Sequence, residues 1–563
     1  MKILDEFNFS SLYKNTLFKL TVVTIIITLY LLIDQVYVGV PYYDVFVYLN
    51  NALIYAGIPV GNLSVIYLPP LMPFLTSLFF RLGLISSNII FIIDGVIFVF
   101  GVIGLYLLLR ERFNEIQSSI GCLIFISSPL IYSWAVSGGI DVPGVCFSIW
   151  AVYFLVNGIR NNNNYLYLVL PMLSLAFLTR YTAVMLVFPI LLYLLINNTN
   201  LISNIKKLVI SLLPSAMIVT PFLTYFYLNL GNLNALINLF ISTSSNSSAP
   251  VQDVGYNPDR LYYLTHILNY ISVGPLTGLY NQLLTPSIGF PTILSYITIA
   301  ILVVGLGIYI YRILLKGKIQ GTFSSNKVKT YNCLIILIIL SAVGVFSFFL
   351  ESYIITEFVI LLALFTGYIL LNDINVKNLK IDFLFLSWFA AFFIFHSVII
   401  LKVDRYFITM IPALTYFTLL AFSVIIEKYK VKFKHDKLKS WGLYVIVGLI
   451  FITSATAVHT GHSFIHGYGY TVQSASDWLE EYDPNYKNEI IYSNYDPAFT
   501  WALKKEVIIG VPSTYVSPTT FSNYLTSNNA DYYIDSFSEP KLDIPGYHII
   551  KNISTTSIYQ KNS

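Results

Sequence analysis

The chain has 563 residues, of which 56% are hydrophobic and only 11% charged, with a formal net charge of +4. A soluble globular protein carries roughly 25% charged residues, so a chain solvated on all sides is excluded. The small net charge by itself says little, and no nucleic-acid partner is expected. The three cysteines, Cys122, Cys146 and Cys333, lie inside apolar runs and read as small core residues rather than as a disulfide framework or a metal site.

Taken in chain order, the apolar runs predict an all-α polytopic membrane protein with about thirteen spans. They fall at roughly 17–33, 88–109, 117–136, 141–157, 165–178, 183–197, 208–228, 291–312, 332–350, 354–371, 383–401, 406–426 and 441–457. Most reach the ~17–25 residues that a helix needs to cross hydrocarbon. The first run lacks a small-residue cleavage site and reads as a retained span. The run VIYLPPLMPFLTSLFFRLG (65–83) is apolar too, but its three prolines interrupt helical hydrogen bonding. It is expected to lie along the membrane surface as broken helices. Residues 1–457 then form a membrane domain with long loops at 34–87 and 229–290, and residues 458–563 a small α/β unit. In that unit SASDWLEEY, PAFTWALKK and TTFSNYLTSN read as helices, and EIIYSNY, EVIIGV, DYYIDSF and GYHIIKN as strands. The unit has no Gly-rich phosphate loop and no catalytic cluster, so a lid or an acceptor-docking role suits it better than an activity of its own.

The charges orient the chain. With the N-terminus in the cytoplasm, 21 of the 32 Lys and Arg residues fall on the cytoplasmic side, most densely in EKYKVKFKHDKLK at 427–439. This is a positive-inside asymmetry. Counting 65–83 as a crossing would reverse every later basic loop. The loops 34–87 and 229–290 and the tail then share the extracytoplasmic face.

Polar groups at that edge are the informative ones, because burial near lipid is costly without a purpose. Asp44 lies in the first long loop, Asp141 in SGGIDVPG between the third and fourth spans, and Arg180 in LTRYTA between the fifth and sixth. Asp404 and Arg405 lie in LKVDRYFITMIP between the eleventh and twelfth. Carboxylates and guanidinium groups from separate loops thus converge, which suits transfer to a hydroxyl with a phosphate leaving group. A carboxylate accepts the hydroxyl proton, and arginine holds the phosphate bidentately. Bland alternatives stand beside these readings. Asp44 can be a solvated loop carboxylate, Asp141 a cap on its span, Arg180 and Arg405 interfacial anchors, and Asp94 a buried structural group. His459, His462 and His466 can share one helical face, although interfacial imidazoles are commoner than a metal site in such a place.

The order of Asp44, the Tyr/Pro-rich YLPPLMPF, GGIDVPG, LTRYT and DRYFITMIP resembles the GT-C glycosyltransferases. More narrowly it is similar to the polyprenyl-phosphate-sugar-dependent branch that includes protein O-mannosyltransferases and aminoarabinose transferases. The resemblance implies an inverting transfer of a sugar from a polyprenyl- or dolichyl-phosphate donor to a hydroxyl acceptor at the outer face of the bilayer. It implies Asp44 and Asp141 as the catalytic carboxylates. Arg405, with Arg180 and Arg260, would receive the donor phosphate, while Tyr67, Pro69 and Pro70 would line the donor groove and Asp94 would sit at the substrate-binding edge. It leaves a divalent metal open. The chain departs from the pattern in three places: Asp44 is followed by Val45, Asp94 stands where relatives often carry a basic residue, and the oligosaccharyltransferase signature WWDYG is absent. Two other functions fit a polytopic chain, a secondary transporter and a non-catalytic assembly subunit. A transporter predicts broken helices at the midplane and paired repeats, and the sequence has neither.

Overall fold

The structure, a computed structural model, describes residues 15–60, 65–197, 201–234, 236–237, 257–273, 290–320, 327–350, 352–374, 376–399, 401–428, 436–460, 468–536, 538 and 541–562. Helix α1 (Thr16–Val38) starts at an Asn15 cap, whose side chain accepts from Leu17 N–H, and stops at Gly39, where φ is +80°. Two short helices follow, α2 (Tyr43–Tyr55) and α3 (Leu71–Phe80). The bundle continues with α4 (Asn88–Arg110), α5 (Glu115–Ser127), α6 (Pro129–Trp134), α7 (Asp141–Arg160), α8 (Val169–Thr179), α9 (Val187–Ile196) and α10 (Leu201–Leu230). It closes with α11 (Ile293–Ile319), α12 (Lys327–Phe349), α13 (Tyr353–Asn372), α14 (Leu379–Val398), α15 (Ile411–Lys428) and α16 (Asp436–Thr460).

Among the described residues, nine helices are long and apolar enough to span a membrane. Shorter apolar helices at Glu115–Ser127, Asn163–Thr179, Tyr181–Ile196 and Trp441–Thr456 occupy the remaining four expected positions. Helix α3 has ten residues, about 15 Å at 1.5 Å per residue, half of the ~30 Å hydrocarbon. The run 65–83 is therefore a turn followed by a helix too short to cross, as its prolines predict.

Burial divides the bundle into a centre and a rim. In α7, 89% of the apolar window is buried, against 17% in α10 and α11. The central helices α4, α7, α14 and α15 pack on other helices, whereas the rim helices present apolar side chains outward, as a lipid-facing surface requires. One end of the centre is fixed by a buried polar network. Arg112 pairs with Asp382 at 3.1 Å, and Asp382 also accepts from Tyr309 and Tyr416 at 2.7 and 2.5 Å. Nearby, Arg160 at the end of α7 pairs with Glu111 at 3.2 Å. The opposite end holds Asp44, Asp141, Arg180 and Arg405.

The tail forms a five-stranded sheet with three helices, α17 (Tyr468–Tyr482), α18 (Asp496–Leu503) and α19 (Pro518–Ser527). The strands are β1 (Ile491–Ser493), β2 (Ile508–Ile509), β3 (Tyr532–Asp535), β4 (Tyr547–Ile553) and β5 (Thr556–Lys561), in the order β2-β1-β3-β5-β4. Strand β1 runs parallel to β2 and β3, and β5 antiparallel to β3 and β4. The three helices and first four strands fall where the alternations predict them. Strand β5 does not figure in that reading: its TSIYQK follows β4 after a two-residue turn at Ser554, where φ is +53°.

The sheet unit docks on the helix that carries Asp44. Tyr495 packs on Tyr43 and Phe46 at 5.7 and 5.9 Å. Asn50 donates to the Pro497 carbonyl at 2.9 Å, and Trp501 stacks on Phe80 at 5.9 Å. The candidate metal group His459, His462 and His466 lies outside the described residues, apart from the His459 backbone.

Candidate active site

Four charged side chains from four segments meet at one end of the core. Asp44 stands in the first turn of α2, where a helix N-terminus favours negative charge; the first long loop is thus helical at this residue. Asp141 stands in the first turn of α7. Arg180 sits in extended backbone between α8 and a 3₁₀ segment, Tyr181–Leu186. Arg405 is the second residue of a 3₁₀ segment, Asp404–Met410, that leads into α15. Such tight segments are used in short pieces and often mark functional places. Here each aims a guanidinium at the same space.

Arg405 Nη2 lies 2.6 Å from Asp44 Oδ2, and Arg405 Nε lies 4.0 Å from Asp141 Oδ2. Asp141 Oδ1 pairs with Arg180. The sequence of contacts is Asp44–Arg405–Asp141–Arg180, with two positive and two negative groups. Exposure separates the two carboxylates: the Asp44 side chain is 35% exposed and that of Asp141 4%. Asp44 is therefore reachable by a substrate, whereas Asp141 is locked beneath it.

Aromatic rings orient the cations. The Arg405 guanidinium lies over Tyr42 and Trp134 at 5.0 and 5.4 Å, and those two rings pack edge to face at 4.8 Å. Arg180 lies over Tyr406 at 5.1 Å. Cation–π contact favours the planar guanidinium over an ammonium. Gly144 lets Arg180 rest directly on α7, since a Cβ there would meet Arg180 Cβ at 2.8 Å. Tyr48, one turn along α2 from Asp44, is fully buried beside Asp44, Arg405, Tyr406 and Arg180; burial, then the Asp44 charge, pushes its hydroxyl pKa upward.

The other residues singled out in the sequence take different places. Asp94 is fully buried, and its Oδ2 accepts from Gly138 N–H at 2.8 Å. Gly138 has φ +79°, a conformation that favours glycine. Asp94 thus holds the SGGID turn that leads into Asp141. Tyr67 accepts at its carbonyl from the Tyr181 hydroxyl at 2.5 Å, so the Tyr67–Pro70 turn is tied to the residue next to Arg180. Pro69 and Pro70 are buried, and Pro70 caps α3. Arg260 donates to the Phe348 carbonyl and lies 6.0 Å from the Phe348 ring, a partner set different from the four-residue group.

Further residues pack at this end; the sequence singles out Asp404, but not the partners of Lys402 and His396. Asp404, adjacent to Arg405, accepts from Tyr262 and Tyr270 at 2.7 Å each and anchors the 262–270 segment. Lys402 is 1% exposed and donates to the carbonyls of His396 and Ser397 at 3.1 and 2.7 Å, capping α14. Burial, with Arg260 nearby, pushes Lys402 down to about 7. His396 is fully buried against Tyr406 at 5.1 Å. Only proximity in space marks the partners of these last two; Trp134, Tyr42 and Tyr406 carry a faint signal, as aromatics within a few residues of the predicted charges.

Each carboxylate already faces a guanidinium, and among the described residues no three His, Cys, Asp or Glu side chains gather as metal ligands. The donor set does not suit a divalent cation. It suits an anion brought to Arg405 and a hydroxyl brought to Asp44.

The profile of the family described as "Dolichyl-phosphate-mannose-protein mannosyltransferase" matches residues 68–225. No curated protein sequence matches the chain. Among solved structures, ArnT from Cupriavidus metallidurans bound to undecaprenyl phosphate aligns with a TM-score of 0.55 and 10% identity, over 96% of this chain and 97% of that one. Archaeal oligosaccharyltransferase AglB from Archaeoglobus fulgidus, in complex with an inhibitory peptide and a dolichol-phosphate, aligns with a TM-score of 0.53 and 12% identity, over 93% of this chain and 70% of that one. A second Archaeoglobus fulgidus oligosaccharyltransferase structure, tethered to an acceptor peptide, gives 0.51 and 13%, over 92% and 68%. An all-α membrane bundle with a small C-terminal sheet unit, aligned end to end with ArnT and with 70% of AglB, shares the fold of these structures.

Proposed function

We infer that the protein is a membrane glycosyltransferase that moves a sugar from a polyprenyl- or dolichyl-phosphate carrier to a hydroxyl on a glycan, protein or lipid. The observation that carries this reading is the Asp44–Arg405 ion pair backed by Asp141 and Arg180. The lipid-phosphate donor is supported by the similar ArnT and AglB structures, which are bound to undecaprenyl phosphate and to a dolichol-phosphate.

The acceptor hydroxyl approaches the exposed carboxylate of Asp44, and the donor phosphate approaches Arg405. The acceptor oxygen bonds to the anomeric carbon as the bond from that carbon to the phosphate oxygen breaks. The hydroxyl proton passes to Asp44, and the polyprenyl phosphate departs with its charge on Arg405. Attack from the face opposite the leaving group inverts the anomeric centre. Asp141 holds Arg405 and Arg180 in place, Asp94 holds the turn before Asp141, and the Tyr67–Pro70 turn borders the donor. Arg180 contributes charge beside the phosphate; Arg260, held at Phe348, is a further candidate for it.

Residues 1–457 act as the catalytic membrane domain and residues 458–563 as the extracytoplasmic unit. The placement of 21 of 32 basic residues supports a cytoplasmic N-terminus and, with it, a charged group at the outer face. The test is transfer by the purified protein from a panel of labelled polyprenyl-phosphate sugars to a membrane extract of its host. Label moving into an acceptor supports the reading, whereas retention of all label on the carrier across the panel opposes it.

A further inference from the structure

The sheet unit has a cleft of its own, about 490 Å³ in volume, within the ~300–1,000 Å³ range of small-molecule sites. It lies beyond the carboxyl ends of the parallel strands β1 and β2, where Asn494 and Val511 follow them. Open α/β sheets bind ligands at this edge.

Its lining mixes apolar side chains with uncharged polar ones. The amide of Asn494 and the hydroxyls of Ser513, Tyr515, Ser517 and Ser538 lie among apolar groups such as Val516, Leu542 and Ile544, and among the described residues no Asp, Glu, Lys, Arg or His lines the cleft. The floor is fixed from below. Asn494 donates to Asp535 at 2.6 Å and accepts from Ser536 N–H at 2.9 Å, and Ser538 Oγ donates to Asp535 at 3.0 Å. The Tyr515 ring packs on Phe521 and Tyr524 at 5.2 and 5.1 Å. The first turn of α19 reaches the cleft, but Ser517 already caps it by accepting from Thr520 N–H at 3.2 Å, which lessens its pull on an anion.

Rigid hydroxyl and amide groups beside aromatic rings, without a cation, suit a neutral sugar ring. Its hydroxyls exchange hydrogen bonds, and its apolar C–H face packs on the half-buried Tyr515 ring and the apolar part of the lining. A phosphate or carboxylate ligand would call for arginine or lysine. The place is also coupled to the charged group. Asn494 is followed by Tyr495 and Asp496, which contact Tyr43, the neighbour of Asp44.

We propose that this cleft binds an uncharged saccharide, the glycan part of the acceptor, and presents it beside the Asp44 helix. The acceptor role rests on the transferase reading; the binding does not. The test uses full-length protein in lipid nanodiscs and ligand-observed NMR with neutral gluco-, manno- and N-acetylglucosamine oligosaccharides, with inorganic phosphate as competitor. At least one oligosaccharide binds, excess phosphate leaves it bound, and Ser513→Trp, which fills the mouth from an exposed position, weakens binding at least ten-fold. Tyr515→Ala, at a loop position, weakens it as well and serves where Ser513→Trp does not fold. The proposal is overturned if no oligosaccharide binds, if phosphate displaces it, or if both cleft variants bind as the wild type does. Saccharide binding by a protein that transfers no sugar keeps the cleft and removes the transferase reading.

Discussion

Arg405 Nη2 and Asp44 Oδ2 are 2.6 Å apart, so the residues assigned to the leaving group and to the nucleophile are one ion pair before any substrate arrives. In the proposed reaction, donor phosphate competes with Asp44 for the Arg405 fork. Its binding frees the carboxylate for the acceptor hydroxyl, which makes donor-first binding the favoured order.

Asp44→Asn preserves side-chain volume and an acceptor oxygen for Arg405 but does not take up the proton. Turnover at saturating donor falls about 10²–10⁴-fold, the usual contribution of general-base catalysis, equivalent to about 3–5 kcal/mol at 1.36 kcal/mol per decade. The side chain is 35% exposed, so the melting temperature in detergent changes little. Near-wild-type turnover removes Asp44 as the base.

Arg405→Lys and Arg405→Ala separate charge from fork geometry. Lysine retains a positive charge near Asp44 but loses the bidentate fork and much of its stacking on Tyr42 and Trp134. Donor KM rises in the lysine variant and rises further in the alanine variant. An alanine variant with wild-type activity at limiting donor takes Arg405 out of the phosphate site.

Asp141→Asn behaves differently from Asp44→Asn because the Asp141–Arg180 pair is buried, with side chains 4% and 5% exposed. Breaking one partner leaves a buried uncompensated charge, at a cost of about 3–5 kcal/mol. Thermal stability therefore falls together with activity, and the double variant Asp141→Asn/Arg180→Gln regains part of the stability but not the activity. Unchanged thermal unfolding of the single variant shows that the pair contributes no stability.

Docking of the sheet unit depends on pH through Asp496. Burial against α2 pushes its carboxyl up to about 6 from the usual 3.8, although it accepts a hydrogen bond from Tyr43. The docked state thus binds a proton more tightly than the free unit does, and docking strengthens as pH falls from about 6 towards 4. Above pH 6 that contribution is lost. Hydrogen exchange at α18 slows on going from pH 7 to pH 5 after correction for the intrinsic rate, and Asp496→Asn removes this pH dependence. The same pH dependence in Asp496→Asn assigns it to another group.

Cysteine accessibility tests the orientation with little background, because Cys122, Cys146 and Cys333 are buried. In intact cells an impermeant maleimide labels Ser513→Cys in the sheet unit and spares Lys377→Cys between α13 and α14. Labelling of Lys377→Cys reverses the orientation and places the charged group in the cytoplasm.

The sequence by itself located the thirteen apolar segments that are helical in the structure, nine of them long enough to span, because crossing hydrocarbon imposes a length and polarity that local composition reports directly. It did not show α2 within the first loop or the break between α5 and α6. Proline placement likewise marked 65–83 as a stretch that does not cross, and alternation found four of the five strands. Strand β5 was missed because TSIYQK at the chain end is short and mixed in polarity, and it becomes a strand through pairing with β3 and β4. The charged candidates were legible as types at loop positions, but their pairing was not. Nothing local tells that Arg405 meets Asp44, 361 residues away, or that Asp94 serves Gly138 and Asp404 serves two tyrosines. Those assignments follow from helix packing, which brings distant segments within ångströms and decides which carboxylate is sealed beneath guanidinium groups and which is left open to a substrate.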